Sequence, residues 1–327
     1  MEMSVAAIIP LYNGSEFIEE ALQSVLQQTE PADEIIVVDD GSTDDGPAKV
    51  ESLAARHPIT LIRKENGGQS AARNVGIRHT KCSHVAFLDQ DDAWYDDHLA
   101  ILKEPYFRPQ VRKLSLVYGN LDFVDRQGRM MTHNCLDWVD SEHPKTSLQQ
   151  CLEKDMFILP SASLLSKSAI EAVGFFDERL SGYEDDDLWV RMFVAGYGNQ
   201  YVNVAVTRWR IFGSSSSFNA RMAKSRMIYF HKQAETFPDD PVLNLMWTRN
   251  VISKRFMRIV FDEYVQASRE RDLPKLERTW SDVKAIVPKM SPRIQKRMKT
   301  YGPIIEALNS GPLAGIARAM ARRAIRI

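Results

Sequence analysis

The sequence predicts an α/β fold: a Rossmann-like, mostly parallel mixed sheet flanked by helices, with a C-terminal helical appendage. Three observations carry this. Strand and helix signals alternate over the first hundred residues, the pattern of a parallel sheet with covering helices. Ile35–Val38 is an unbroken β-branched run, as expected of a strand buried on both faces. Beyond about Asn219 strand signals stop, and helical patterns broken by prolines continue to the end.

Taken in order, Val5–Ile9 is the first strand. Ser15 can cap a helix whose apolar face runs Phe17, Ile18, Ala21, Leu22, Val25, Leu26. Ile35–Val38 is the second strand; the Gly-Ser-Thr-Asp loop after it leads into a helix over Pro47–Arg56. Ile59–Ile62 is the third strand, Asn66-Gly67-Gly68 a turn, and Ser70–His79 a helix. His84–Leu88 is the fourth strand, ending in acidic residues before a helix at Asp96. Leu114–Tyr118 and Leu121–Val124 read as strands, and Ser147–Glu153, Lys167–Val173 and Glu184–Ala195 as helices. Tyr201–Val206 is the last strand. The helical region is expected to break at Pro238, Pro241, Pro274, Pro288, Pro292, Pro303 and Pro312. The chain therefore divides into an α/β domain over 1–218 and a helical region over 219–327. Ser214–Ser217 is too short to count as low complexity.

Length and composition bound the function. At 327 residues, with 44% hydrophobic and 26% charged, the chain is an ordinary globular protein of one large or two smaller units. Forty-two basic residues against 43 acidic leave a net charge of -1, so no overall basic excess points to nucleic acid. The charge is uneven: Ser291–Ile327 holds eight Lys/Arg and one Glu, or +7, leaving -8 for the rest. Three cysteines without metal-type spacing argue against a disulfide framework or a cysteine zinc site and fit a reducing cytosol. No export signal and no membrane-spanning run is legible, so a cytoplasmic protein, soluble or peripheral, is expected.

In open α/β sheets ligands bind beyond the carboxyl ends of the strands. Three such ends carry suggestive residues: the first strand runs into IIPLYNG, the second into VVDDGSTD, the fourth into FLDQDD. Asp89, Asp91 and Asp92 lie within four residues and would raise one another's pKa; a hard divalent cation offsets that repulsion. The plainer reading is a solvated acidic loop. Asp40 can accept from a ribose hydroxyl or a base N–H, or cap the next helix, a task open also to Ser42 or Asp44. Tyr12 offers a face for stacking a base, or is a core tyrosine at a strand edge. Arg73, in GGQSAARNVG, can approach a diphosphate or stack on a base, or is a surface arginine. GYEDDDLWVR opens a helix with four acids that suit its dipole. Asp185 has Leu188, Trp189 and Met192 at i+3, i+4 and i+7. It is expected on the inward face as a general base, with Glu184 as the alternative.

Together IIPLYNG, VVDDGSTD, GGQSAARNVG, FLDQDD, SAIEAVGFFDERL and GYEDDDLWVR, in that order over Ile8–Arg191, resemble the family 2 glycosyltransferases of the GT-A fold. The resemblance implies a nucleotide-sugar half over about 1–112 and an acceptor half over about 113–218. It implies a nucleotide-diphospho-sugar donor, most often a UDP-sugar, and Mn²⁺ or Mg²⁺ as cofactor. Asp40 would contact the nucleoside with Pro10 and Tyr12 nearby. Asp91 would bind metal with Asp89 and Asp92 beside it, Arg73 matches the Arg of an ARN element, and Asp185 matches the catalytic base. Direct displacement at the anomeric carbon would invert configuration, and a glycan or lipid-linked hydroxyl would accept the sugar, in surface polysaccharide or glycolipid assembly. Phe212 stands where many relatives have a His after Arg210, so a third protein ligand to the metal is not expected from that position. The Gln-x-x-Arg-Trp motif of processive synthases is absent, which favours single addition. A nucleotidylyltransferase or dehydrogenase would need a Gly-rich phosphate loop that PLYNGSEF lacks. The competing reading is a non-catalytic sugar- or partner-binding module on the same fold.

Leu114–Pro160 would shape the acceptor side, with Trp138, His133 and His143 in it. In the tail, Leu313, Ile316, Met320, Ala324 and Ile327 share one side of a helix, with Arg318, Arg322 and Arg326 opposite. That pattern over 313–327 fits peripheral contact with a membrane interface. It equally fits packing on the α/β domain or on a second subunit in a homo-oligomer.

Overall fold

The computed structural model describes residues 3–212, 220–309 and 313–325; Ser214–Ser217, the boundary at Asn219, Pro312, Arg326 and Ile327 lie outside them. The chain clusters into two compact units: Met1–Cys151 with Asp155–Ser225, and Leu152–Lys154 with Arg226–Ile327.

The first unit is built on a nine-stranded sheet. Its strands are β1 (Val5–Leu11), β2 (Glu34–Asp39), β3 (Ile59–Arg63), β4 (His84–Phe87), β5 (Ala93–Trp94), β6 (Leu114–Val124), β7 (Met130–Thr132), β8 (Ser163–Ser166) and β9 (Gly198–Arg210). The spatial order is β3-β2-β1-β4-β8-β6-β9-β5, with β7 on β6. β3, β2, β1 and β4 are parallel; β8 runs antiparallel to both β4 and β6; β9 is parallel to β6. The helices are α1 (Ile18–Leu26), α2 (Gly46–Ala54), α3 (Gln69–His79), α4 (His98–Phe107), α5 (Leu148–Glu153), α6 (Lys167–Val173) and α7 (Glu184–Val194).

β1 is buried along its whole length, as its apolar run requires. Pro10 sits in this central strand without loss. Ile8 accepts from Leu88 N–H on the β4 side, and by the two-residue alternation Pro10 faces that same side beyond the end of β4. α3 lies so close on β1 that a Cβ on Gly76 would stand 2.5 Å from Ile8 Cγ2.

Several expectations are corrected. Ser15 does not cap α1. Phe17 precedes the helix, and the Ser15 N–H donates to Asp44 Oδ2. The two strands expected over 114–124 are one strand, with the register slipping on β9 at Gly119–Leu121 where the apolar pattern breaks. β5, β7 and β8 are two to four residues long, too short for a period-two signal, and exist because neighbouring strands pair with them.

The second unit is helical, with the last part of α8 (Ala220–Thr236), α9 (Ser253–Glu270), α10 (Leu273–Ile286), α11 (Pro292–Leu308) and α12 (Ala314–Ile325). Phe230, Phe256, Tyr264, Trp280, Val283 and Ile305 are buried in it. Prolines start helices here more than they break them. Pro274 and Pro292 occupy first turns, and α11 runs straight through Pro303. Pro303 and Lys299 both face solvent, so water can satisfy the carbonyl freed there while Ile294, Met298 and Ile305 keep the inner face packed. The buried stripe of α12 is Ala317, Ala321, Ala324 and Ile325, not the Leu313–Ile316–Met320 side expected from the sequence. Leu313 and Ile316 are 48% and 50% exposed. No helix among the described residues is long and apolar enough to cross a membrane.

Candidate active site

The carboxyl ends of β2, β1 and β4 are adjacent, and their loops are bonded to one another. Tyr12 N–H donates to Gln90 Oε1 (2.7 Å), and Gln90 Nε2 donates to the Tyr12 carbonyl (3.1 Å). Asn13 N–H donates to Ser42 Oγ (3.0 Å), and Asn13 Oδ1 accepts from Thr43 N–H (2.8 Å). Beyond β1 the chain order of the strands reverses direction, from β3-β2-β1 to β4, which is the switch point where such sheets open a crevice.

Asp40 is 3% exposed and accepts three bonds: from Lys64 Nζ (2.5 Å), Gly67 N–H (2.9 Å) and Gly68 N–H (2.7 Å). Gly68 has φ +90° and precedes α3, a conformation that excludes most side chains. As placed, Asp40 holds the turn that launches α3 and presents little surface to a ligand. Asp44, not Asp40, serves the start of α2, accepting from Gly46 N–H (3.0 Å). Tyr12 is 43% exposed, so its ring is open to a ligand rather than part of the core.

α3 then reaches the acidic end of β4. Gln69 Nε2 and Arg73 Nη2 both donate to Asp89 Oδ1 (2.8 and 2.6 Å), while Arg73 Nη1 donates to Glu184 Oε1 (3.0 Å). Arg73 is 1% exposed and its guanidinium lies 5.4 Å from the Phe176 ring centroid. It is neither a surface arginine nor a free anion ligand; it joins the β4 end to the start of α7. Burial works against its charge, but Asp89 and Glu184 more than offset this and hold its pKa above the usual value. Contacts thus run unbroken from Asp40 through Gly67–Gly68, Gln69, Asp89 and Arg73 to Glu184, next to Asp185.

The Asp91–Asp92 pair is clamped from β9. Arg210 N–H donates to Asp92 Oδ1 (3.0 Å), and Arg210 Nε donates to the Asp91 carbonyl (2.8 Å). Asp92 is buried; burial, then Asp91 and Asp89, push its pKa well above the carboxylate range. Burial and then Asp89 raise Asp91 to about 6. Apart from its own backbone, the Asp91 carboxylate has no hydrogen-bond partner among the described residues. Mutually repelling carboxylates of this kind, one buried and two half-buried, fit a hard divalent cation, which would relieve the repulsion. No group of three or more His, Cys, Asp or Glu side chains among the described residues is preassembled around a common cation position. Phe212 packs on Phe17, with ring centroids 5.5 Å apart.

The four acids at the start of α7 have different partners. Glu184 is 7% exposed, with Oε1 on Arg73 and Oε2 buried without a hydrogen bond. Asp186 accepts from Met156 N–H (3.2 Å), and Asp187 pairs with Arg191 (2.8 Å). Asp185 is half-buried and accepts from Asp186 N–H (2.8 Å). Its pKa is raised well above the usual value by burial, then by Glu184 and Asp186. Leu188, Trp189 and Met192 are buried as expected, while Asp185 itself keeps access to solvent. The Asp185 carboxylate thus keeps access to solvent, whereas Glu184 is buried and bonded to Arg73.

Sequence reasoning missed Gln69, Gln90 and Lys64, although the two glutamines lie inside quoted motifs. It also missed Ser161, whose Oγ accepts from Asp89 N–H (3.0 Å) and for which no local signal exists. In the expected acceptor segment, Trp138 is 78% exposed and donates from Nε1 to the His133 carbonyl (3.3 Å). His133 Nδ1 lies 3.1 Å from Asp122 Oδ2. His143 instead packs inward on Tyr118 and Tyr201, and burial lowers its pKa to about 4.

Known proteins share both the sequence and the fold. Over 222 residues the chain is 38% identical to the glycosyltransferase GlyA of Streptococcus pneumoniae, covering 65% of this chain and 31% of that protein. An uncharacterized glycosyltransferase of Rickettsia bellii is 33% identical over 194 residues, covering 58% of this chain and 27% of that protein. The chain therefore spans only about a quarter to a third of the length of these relatives. Among solved structures, Staphylococcus aureus TarS 1-349 in complex with UDP-GlcNAc is similar with a TM-score of 0.67 at 15% identity, covering 98% of this chain and 92% of that one. The mannosyltransferase PcManGT of Pyrobaculum calidifontis, in complex with GDP-Man and Mn²⁺, gives 0.57 at 19% identity over 99% and 86%. The fold is thus that of GT-A glycosyltransferases. Residues 6–174, just over half of the chain, match the profile described as glycosyl transferase family 2, and the chain belongs to that family.

Proposed function

We propose that the protein transfers a single sugar from a nucleotide-diphospho-sugar, most readily a UDP-sugar, to a hydroxyl of a glycan or lipid-linked acceptor, with inversion. The observation that carries this is the contact chain from Asp40 to Glu184, which gathers the β2, β4 and α7 acids on one site and leaves Asp185 basic and accessible. The TarS and PcManGT complexes with UDP-GlcNAc and GDP-Man are in keeping with a nucleotide-diphosphate donor.

In this reading the exposed Tyr12 ring meets the base, and Asp40 acts through the Lys64 and Gly67–Gly68 contacts that shape the nucleoside side. Asp91, with Asp89 and Asp92 beside it, would hold Mn²⁺ or Mg²⁺, which when bound supplies neutralisation of the leaving diphosphate. Arg73 acts as a positioning residue, fixing Asp89 and Glu184 from within the core. Asp185 takes the proton of the acceptor hydroxyl as that oxygen attacks the anomeric carbon from the face opposite the diphosphate. Burial, and then repulsion from Glu184 and Asp186, raise the Asp185 pKa and so its affinity for that proton.

The test is release of nucleoside diphosphate from a panel of UDP- and GDP-sugars with Mn²⁺, in the presence of simple glycan acceptors. Donor-specific release with sugar transfer of inverted configuration is expected. Binding of nucleotide sugar without any turnover over the whole panel would overturn the assignment in favour of a binding module.

A further inference from the structure

We propose that α12 is a docking face for an anionic phospholipid surface, with a lipid phosphate seated in the groove between α12 and the end of α9. The groove, of about 410 Å³, is lined by Arg269, Gly315, Arg318, Ala319 and Arg322. Three guanidinium groups share it and no carboxylate lines it. Arg318 Nη1 donates to the Ser268 carbonyl (3.0 Å) and Oγ (2.8 Å), so that side chain is held at the groove. Among the described residues Arg269, Arg318 and Arg322 make no ion pair. The carboxylates nearest in sequence are engaged elsewhere: Glu270 accepts from Gln266, and Asp272 from Lys275 N–H. Like charges gathered without a counter-charge attract an oxyanion, and guanidinium suits phosphate.

A lipid is favoured over a free phosphate by the rest of the helix. α12 carries no acidic residue. Ala317, Ala321, Ala324 and Ile325 are used in packing, so the outward face holds Gly315 and Ala319 of the groove together with Arg323, with Ile316 and Leu313 on its other side. Small residues let this face approach a plane closely, Leu313 and Ile316 can enter the interface, and the arginines meet head groups. The amphipathic pattern thus divides: Ala317, Ala321, Ala324 and Ile325 pack on the protein, and Leu313 and Ile316 stay outside with the cations.

The experiment is co-sedimentation of the full chain with phosphatidylcholine vesicles, alone or with phosphatidylglycerol added, over rising NaCl. Binding to the anionic vesicles only, weakening with salt, is expected. Arg269 and Arg322 are exposed, so Arg269→Gln/Arg322→Gln should fold normally, checked by an unchanged melting midpoint. At about 1 kcal/mol per basic residue near an anionic surface, the double variant should bind about 30-fold more weakly. Leu313→Ser/Ile316→Ser should also lose binding. Release of nucleoside diphosphate from soluble donor should be unchanged in both. Equal binding to neutral and anionic vesicles, or undiminished binding by the arginine variant, would overturn the proposal. If inorganic pyrophosphate raises the melting midpoint of the wild type alone and no vesicle binds, the groove serves a free phosphate and the lipid assignment fails. Concentration-dependent self-association abolished by the serine variant, without vesicle binding, would equally overturn it in favour of a second copy.

Discussion

Arg73→Met tests the central link of the site. Arg73 is 1% exposed and bonds Asp89 and Glu184 at 2.6 and 3.0 Å. Removing one partner of a buried ion pair typically costs about 3–5 kcal/mol, because the other charge is left without compensation. Here the loss falls mainly on Glu184. Its side chain is 9% exposed, and its second oxygen already lacks a partner, whereas Asp89 is 28% exposed and keeps Gln69. A loss of roughly 3 kcal/mol at pH 8 is therefore expected, read as the shift in urea midpoint at constant slope. Adding Glu184→Gln should recover a good part of the loss, giving a coupling energy of about 1–3 kcal/mol in the double-mutant cycle. A loss below about 1 kcal/mol, or strict additivity of the two changes, would refute the account of Arg73 as the clamp of this site.

Other expectations concern single groups. Asp185→Asn should bind donor as the wild type does, by calorimetry, while transfer falls by a factor of roughly 10² to 10⁴; native turnover would remove Asp185 as the base. Asp91→Asn should weaken Mn²⁺ binding at least about tenfold in a thermal-shift titration with nucleoside diphosphate present; an unaltered midpoint concentration would place the cation elsewhere. His98 is fully buried against Trp94, and burial lowers its pKa to about 3. The unfolded chain then binds a proton below about 6.5 that the folded chain refuses, so stability drops by up to about 1.4 kcal/mol per pH unit as the pH falls from there. His98→Asn should flatten that acid slope in urea titrations between pH 7 and 5, and an unchanged slope would show that other groups cause it.

The fold was legible where the chain is buried on both faces. Val5–Ile9 and Ile35–Val38 read as strands because short apolar, β-branched runs between turn signals suit a central strand covered on both faces. The motif spacing also located the acidic strand ends and the acidic helix start. What each acid does was not legible. Four consecutive acids at Glu184–Asp187 read alike in the sequence, and tertiary partners sort them: Arg73 takes Glu184, Met156 N–H takes Asp186, Arg191 takes Asp187. Asp40 and Arg73 read as ligand contacts and lie in the interior, binding other parts of the protein.

The sequence by itself determined the α/β class, the first four strands and their helices, and the three acidic or turn-rich strand ends, since hydrophobic period and turn residues are local properties. Only the tertiary structure decided that β8 enters between β4 and β6, that Ser161 and Arg210 brace the acidic turn, and which face of α12 is covered. These depend on pairings between residues dozens to more than a hundred positions apart. Desolvation and charge compensation act through that spatial neighbourhood, and no local pattern encodes it.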